Sequence, residues 1–284
     1  MPIEAEKSER GYGELSNPQL TASYTEIKSH FQNLVKRAER VSRGSGGLPC
    51  AGNQMFHASV LFTRLAVTAM SIERLLPAPK RGEHWDFSAV ASLIRNLSEL
   101  YLLYYWLCED AVDDGVRNGR IILLQLHDFG SRIKAFHGDA RPDGGDEVFN
   151  DLVNRFGANP YLATFDAKRR KEALKGTKTP FIQDELLDRM GVYKDNFRMM
   201  YRFLSQHTHT GPISFYRMVE QDRGTGVETR LEKIYMIIAI EFACDIIKRG
   251  LSGHLTIFPD AETREPFLTR EQIQENVERE QGRI

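Results

Sequence analysis

Apolar residues along this chain recur at three- and four-residue intervals, and no stretch sustains the alternation of period two that marks a strand. The pattern therefore predicts an all-α protein, a helical bundle with peripheral helices and loops. The spacing predicts a first helix over Thr21–Val41, mostly polar, with Ile27, Phe31, Leu34 and Val35 on one side. Glycines and a proline make Arg43–Asn53 a loop, and it lacks the spacing of a phosphate-cradling loop. A second helix runs over Gln54–Leu76 and is stopped by Pro77 and Pro79. A third, Ser88–Glu109, starts at Asp86 or Ser88 as its cap. It is apolar nearly all round after Ser98, the mark of a central helix. Val116–His137 follows, then a loop over Gly138–Asp146 and a helix near Glu147–Phe156. Residues 157–180 are less regular, and Lys168–Lys178 holds six basic residues and one acidic residue. Phe181–Met190 and Tyr193–His209 read as helices, the latter stopped by Gly211-Pro212. A turn at Asp222–Gly226 precedes a long apolar helix over Glu228–Leu251, and Thr269–Glu280 reads as a surface helix of an acidic tail.

This divides the 284 residues into an N-terminal helix and glycine-rich loop (1–50), a bundle core (51–255) and an acidic C-terminal tail (256–284). The formal net charge of −1 gives no global attraction to nucleic acid or anionic membrane, so any polyanion site must be local. The polar N-terminus has no apolar targeting core, and neither Leu100–Cys108 nor Tyr235–Ile247 reaches the ~18 apolar residues of a membrane span. Cys50, Cys108 and Cys244 lie far apart, without a CxxC pair. The expectation is a cytoplasmic protein with reduced thiols, no membrane contact, no metal and no cofactor.

Candidate chemistry begins inside the third helix. At ~100° per residue, Glu99 falls about 40° from Arg95, Ser92 about 60° and Ser88 about 20°. This narrow polar stripe crosses an otherwise apolar helix, so Arg95 and Glu99 are expected to be shielded from water at least in part. Burying charge is costly unless it is paired, and an i,i+4 pair supplies part of the compensation. Two readings stay open: an ion pair that holds helices in register, or a polar pocket for an anionic ligand.

The second feature is Tyr201–Met218. On a helical wheel, His207 lies about 140° from Arg202, on the side of Phe197, Met200 and Leu204, and reads as a core histidine. His209 shares a face with Asp195, Arg198, Arg202 and Gln206 and closes the helix, where the dipole favours a protonated imidazole. That face is either simply solvated or the seat of a general acid or base.

Arg95 and Glu99 in an apolar helix, followed about a hundred residues later by Tyr201, Arg202, Leu204, Ser205 and His209, resemble an uncharacterised, mostly bacterial helical family, domain of unknown function 5677. The resemblance covers roughly residues 50–250 and implies no established activity. More distantly the chain is similar to HEPN domains (higher eukaryotes and prokaryotes nucleotide-binding). These are helical bundles, many of which carry an arginine and a histidine separated by four to six residues and cleave RNA without metal. Arg202 stands at that spacing from both His207 and His209, but Phe203 follows the arginine where the common form has a polar residue.

This similarity implies a ribonuclease of a toxin or defence system, with Arg202, His209, Glu99 and Arg95 catalytic and Ser205, His207 and Asn96 binding. One histidine would move a proton at the 2′- or 5′-oxygen, and Arg202 would stabilise the transition state. It also implies RNA or another phosphate ligand as partner and a homodimer, with the basic segment on the phosphate backbone. The alternative is a non-enzymatic helical binding or structural module whose polar cluster organises the core. His127-Asp128 lacks the further ligands a metal phosphohydrolase needs.

Overall fold

Helix starts are written locally. The Ser16 amide donates to Gln19 Oε1 at 2.8 Å and Pro18 fits the first turn, so helix α2 begins at Asn17, four residues ahead of the sequence expectation. The computed structural model describes residues 9–136, 144–176, 181–209, 211–212, 214, 216, 225–266 and 268–280. The expected loop at Gly138–Asp146 and turn at Asp222–Gly226 lie largely outside these residues, as does Lys178.

The helices are α1 (Glu9–Gly13), α2 (Asn17–Ser45), α3 (Asn53–Leu75), α4 (Phe87–Tyr104), α5 (Asp114–Phe136), α6 (Gly145–Gly157), α7 (Pro160–Ala163), α8 (Ala167–Ala173), α9 (Gln183–Arg189), α10 (Lys194–Thr208), α11 (Arg230–Ile257) and α12 (Arg270–Glu280), with no strand among the described residues. The all-α expectation holds. The chain divides into two units, one of residues 1–105 and 192–284, the other of residues 106–191.

In the first unit, α11 packs along α2 and also meets α3 and α4, while α4 is flanked by α3 and α10. The buried residues Tyr24, Phe31, Phe62, Leu65, Ile94, Leu97, Tyr104, Ile240 and Ile247 form its core. Asp86 caps α4, its Oδ1 accepting from the Ala89 amide at 3.0 Å. The helix α2 runs on to Ser45 through residues expected to be loop. Gly44 belongs there because a Cβ would stand 1.9 Å from the Ala261 carbonyl oxygen; glycine serves close backbone approach rather than a turn. Inside this core His254 is fully buried, with Nδ1 3.1 Å from Tyr104 Oη, Nε2 2.9 Å from Ser45 Oγ and its ring stacked on Phe62. Burial pushes its pKa down to about 3, so the ring is neutral.

The helix α3 is long and apolar enough to cross a membrane by length and composition alone, a test that core helices of soluble proteins also pass. Its inward face carries Ala58, Phe62, Leu65, Ala69 and Ile72, but Phe56, Val60 and Val67 are exposed.

The second unit begins at Trp106, inside a π-helical segment over Tyr105–Glu109. Here α5 is the axis against which α6, α7 and α8 pack, and the rings of Phe156, Tyr161 and Phe165 meet edge to face. The carbonyls that end the π segment need donors, and two arginines in the first two turns of α5 supply them. Arg120 donates to Trp106 O, and Arg117 to Leu107 O and Asp110 O.

Candidate functional site

The polar stripe of α4 meets α10 along one line. Arg95 Nε donates to Ser205 Oγ at 2.9 Å, and Nη2 donates to Tyr201 Oη at 2.9 Å. The Tyr201 hydroxyl donates in turn to Glu99 Oε1 at 2.6 Å, and the same carboxylate oxygen lies 3.0 Å from Arg95 Nη2. The second carboxylate oxygen is 3.5 Å from Nη1, and the guanidinium carbon sits 5.0 Å from the centre of the Tyr201 ring. Two i,i+4 pairs, one on each helix, thus interlock: Arg95 and Glu99 face Tyr201 and Ser205. The Tyr201 phenol is pushed to higher pKa, first by burial and then by its bond to the Glu99 carboxylate, with Arg95 opposing. It remains protonated and serves as a donor at neutral pH.

The site lies at the rim of the core. The Arg95 side chain is 20% exposed and that of Glu99 42%. The expectation of a shielded pair is met for the guanidinium far better than for the carboxylate. The reason lies on α10: its buried stripe is Phe197, Met200, Leu204 and His207, and Tyr201 and Ser205 flank that stripe rather than sit in it.

The expected imidazole is not among these groups. Arg202 and His209 are exposed, on the solvent side of α10, and among the described residues neither makes a hydrogen bond or ion pair with Arg95 or Glu99. Their face bears Gln206 and the exposed Met199 as well. His207 is buried, edge-on to Phe87 at 4.7 Å and to Phe203 at 5.1 Å, with Ser88 Oγ 3.5 Å from Nδ1. Phe203 is explained by the same cluster, lying 4.9 Å from Tyr235: it is packing where a polar residue would face solvent. Asn96 is exposed, off the stripe. The structure thus joins Arg95, Glu99 and Ser205 of the sequence-expected residues, adds Tyr201, and leaves Arg202, His209, His207 and Asn96 outside.

These helices fall within the span of a family model. The model for a family of unknown function, DUF5677, matches residues 55–226, more than half of the chain. The chain belongs to the DUF5677 family. The matched span contains both halves of the clasp, so the interlocked quartet lies within the family's domain. No curated protein and no solved structure matches the chain.

A second polar cluster was not anticipated from the sequence of this DUF5677 member. In the second unit Asp110 Oδ2 accepts from Arg120 at 2.6 Å and from Arg189 at 2.8 Å. Arg120 is 2% exposed and also lies over the rings of Trp106 and Tyr161, with its carbon 5.3 and 5.8 Å from their centres. The signal was present as Arg117 and Arg120 at i,i+3 just after an apolar helix end, a pattern suited to capping free carbonyls. The basic segment is partly absorbed by the fold, since Arg169 covers Phe165 at 4.2 Å and reaches Glu185, and Arg170 donates to Phe165 O. No group of three His, Cys, Asp or Glu side chains suited to a metal ion occurs among the described residues. A surface cavity of about 550 Å³ is lined by Asn17, Thr21, Glu228, Arg230 and Lys233, but Lys233 is already paired with Glu228 and Thr21.

Proposed function

We propose that this DUF5677 protein is a non-enzymatic helical module in which Arg95, Glu99, Tyr201 and Ser205 clamp α4 to α10. The supporting observation is that each nitrogen of the Arg95 guanidinium has a partner within the chain: Nε with Ser205, Nη2 with Tyr201 and Glu99, Nη1 with Glu99. Only one of its five N–H donors, on Nη1, is left over, so bidentate capture of a phosphate must break a charge-assisted bond, and the adjacent carboxylate repels the anion. Work of this kind is done by surfaces rather than by bond making.

The HEPN-like ribonuclease reading has one observation in its favour. Arg202 and His209 are both open to solvent on one side of α10. They stand seven positions apart, about 10 Å of helical rise, so a single scissile phosphate would need groups from a second copy as well. In that reading His209 moves a proton at the ribose or leaving oxygen, and Arg202 holds charge on the phosphorus oxygens.

One assay separates the two. Single-stranded RNA is incubated with wild type, Arg202→Ala and His209→Ala in chelator-treated buffer. The module reading expects no cleavage above background from any of the three. Cleavage by wild type that both substitutions abolish, with unchanged circular dichroism, overturns it.

A further inference from the structure

The helix α12 poses a physical problem. It has 11 residues, and all of those whose side chains are described are exposed except the half-buried Glu278. An isolated helix this short is marginal in water. Its start is nevertheless encoded by a reciprocal cap: the Thr269 amide donates to Gln272 Oε1 at 2.7 Å and the Gln272 amide to Thr269 Oγ1 at 3.1 Å. Ile273 and Val277, one turn apart, form an apolar edge that no described residue covers. The root of the helix is held, with Arg43 donating to Leu268 O at 3.2 Å and Arg264 to Gly44 O at 3.4 Å. With its root fixed, α12 lies uncovered among the described residues.

A matching surface stands on α3. At 100° per residue Phe56, Val60 and Val67 fall within about 40° of one another, and all are exposed. This stripe runs beside the anchored end of α2, since Ser42 Oγ lies 3.0 Å from Thr63 Oγ1. The charges also match in balance: the exposed charged residues of α3 are Arg64 and Arg74, whereas the described charged side chains of α12 are Glu271, Glu275, Glu278 and Arg279, three acidic to one basic. We infer that the protein forms a two-fold homodimer in which α12 of each copy lies on the Phe56–Val60–Val67 face of α3 of the other. Two-fold symmetry makes the contact twice, so four apolar strips are covered at once. This pairing does not depend on whether the chain is an enzyme.

Sedimentation velocity of the full chain over a concentration series tests it. Wild type is expected to dimerise. Ile273→Glu/Val277→Glu and Phe56→Glu/Val60→Glu are each expected to weaken the dimer roughly a hundredfold or more, because each places charge in a strip that symmetry buries twice. The α12 pair is solvent-exposed, so its circular dichroism should match wild type and a folding defect does not confuse the result. In a Cys50→Ser background, Val60→Cys on one tagged chain should cross-link to Ile273→Cys on a differently tagged chain. A monomer at every concentration overturns the inference, as does a dimer that survives the α12 substitutions or the absence of any cross-link between the two tagged chains. Flotation of wild type with lipid vesicles, lost in Phe56→Glu/Val60→Glu and kept in the α12 variant, would assign the α3 face to a membrane and also overturn it.

Discussion

Asp110 and Glu99 both hold arginines, and burial sets how much each carboxylate is worth. Asp110 and Arg120 are 8% and 2% exposed, and the same aspartate oxygen also receives Arg189. Among the described residues, replacing Asp110 by Ala leaves the Arg120 guanidinium in the interior with the Trp106 carbonyl and two rings beside it. Stranding one partner of a buried pair costs about 3–5 kcal/mol. Replacing Glu99 by Ala has a smaller effect. The carboxylate is 42% exposed, and Arg95 keeps Ser205 and Tyr201. That cost is about 1 kcal/mol, in the range of a single net hydrogen bond and a partly screened ion pair. Urea unfolding followed by circular dichroism reports both, and amide exchange along α5 reports Asp110→Ala locally, because the two units need not unfold together. If Glu99→Ala proves as destabilising as Asp110→Ala, burial does not govern these pairs and the assignment of the clasp to the rim of the core is wrong.

The remaining predictions concern titration and thiol access. His254 is held neutral in the folded state, its pKa pushed down to about 3 by burial, against about 6.5 in an unfolded chain. Between those values the unfolded state binds the extra proton, so stability is complete above about pH 6.5 and falls as the pH drops toward 3. Urea midpoints between pH 7.5 and 5 should decline in wild type and decline less steeply in His254→Gln; equal slopes would remove this account. Burial pushes the thiols of Cys108 and Cys244 up to about 12, whereas Cys50 is exposed. One thiol should therefore react promptly with a disulfide reagent in the native protein and three in denaturant, and a second fast native thiol would contradict the packing around the π-helical segment or α11.

The sequence by itself determined the helical class, most helix positions, the central place of α4 and the Arg95–Glu99 pair. Each of these rests on periodicity or on contacts within one or two turns, and such contacts exist wherever the helix forms. It also sorted α10 into its two faces, with His207 on the apolar side with Phe197, Met200 and Leu204 and His209 on the side of Arg202. Tertiary structure decided which line of α10 meets Arg95. A wheel describes rotation about one helix's own axis and says nothing of how that helix is turned toward its neighbour, so Tyr201 and Ser205 took the place expected for an imidazole. The extension of α2 through Gly44 depended in the same way on the Ala261 backbone, distant in sequence and close in space. So did the burial of Arg117 and Arg120, whose role emerges only once the carbonyls of the preceding helix end are folded against them.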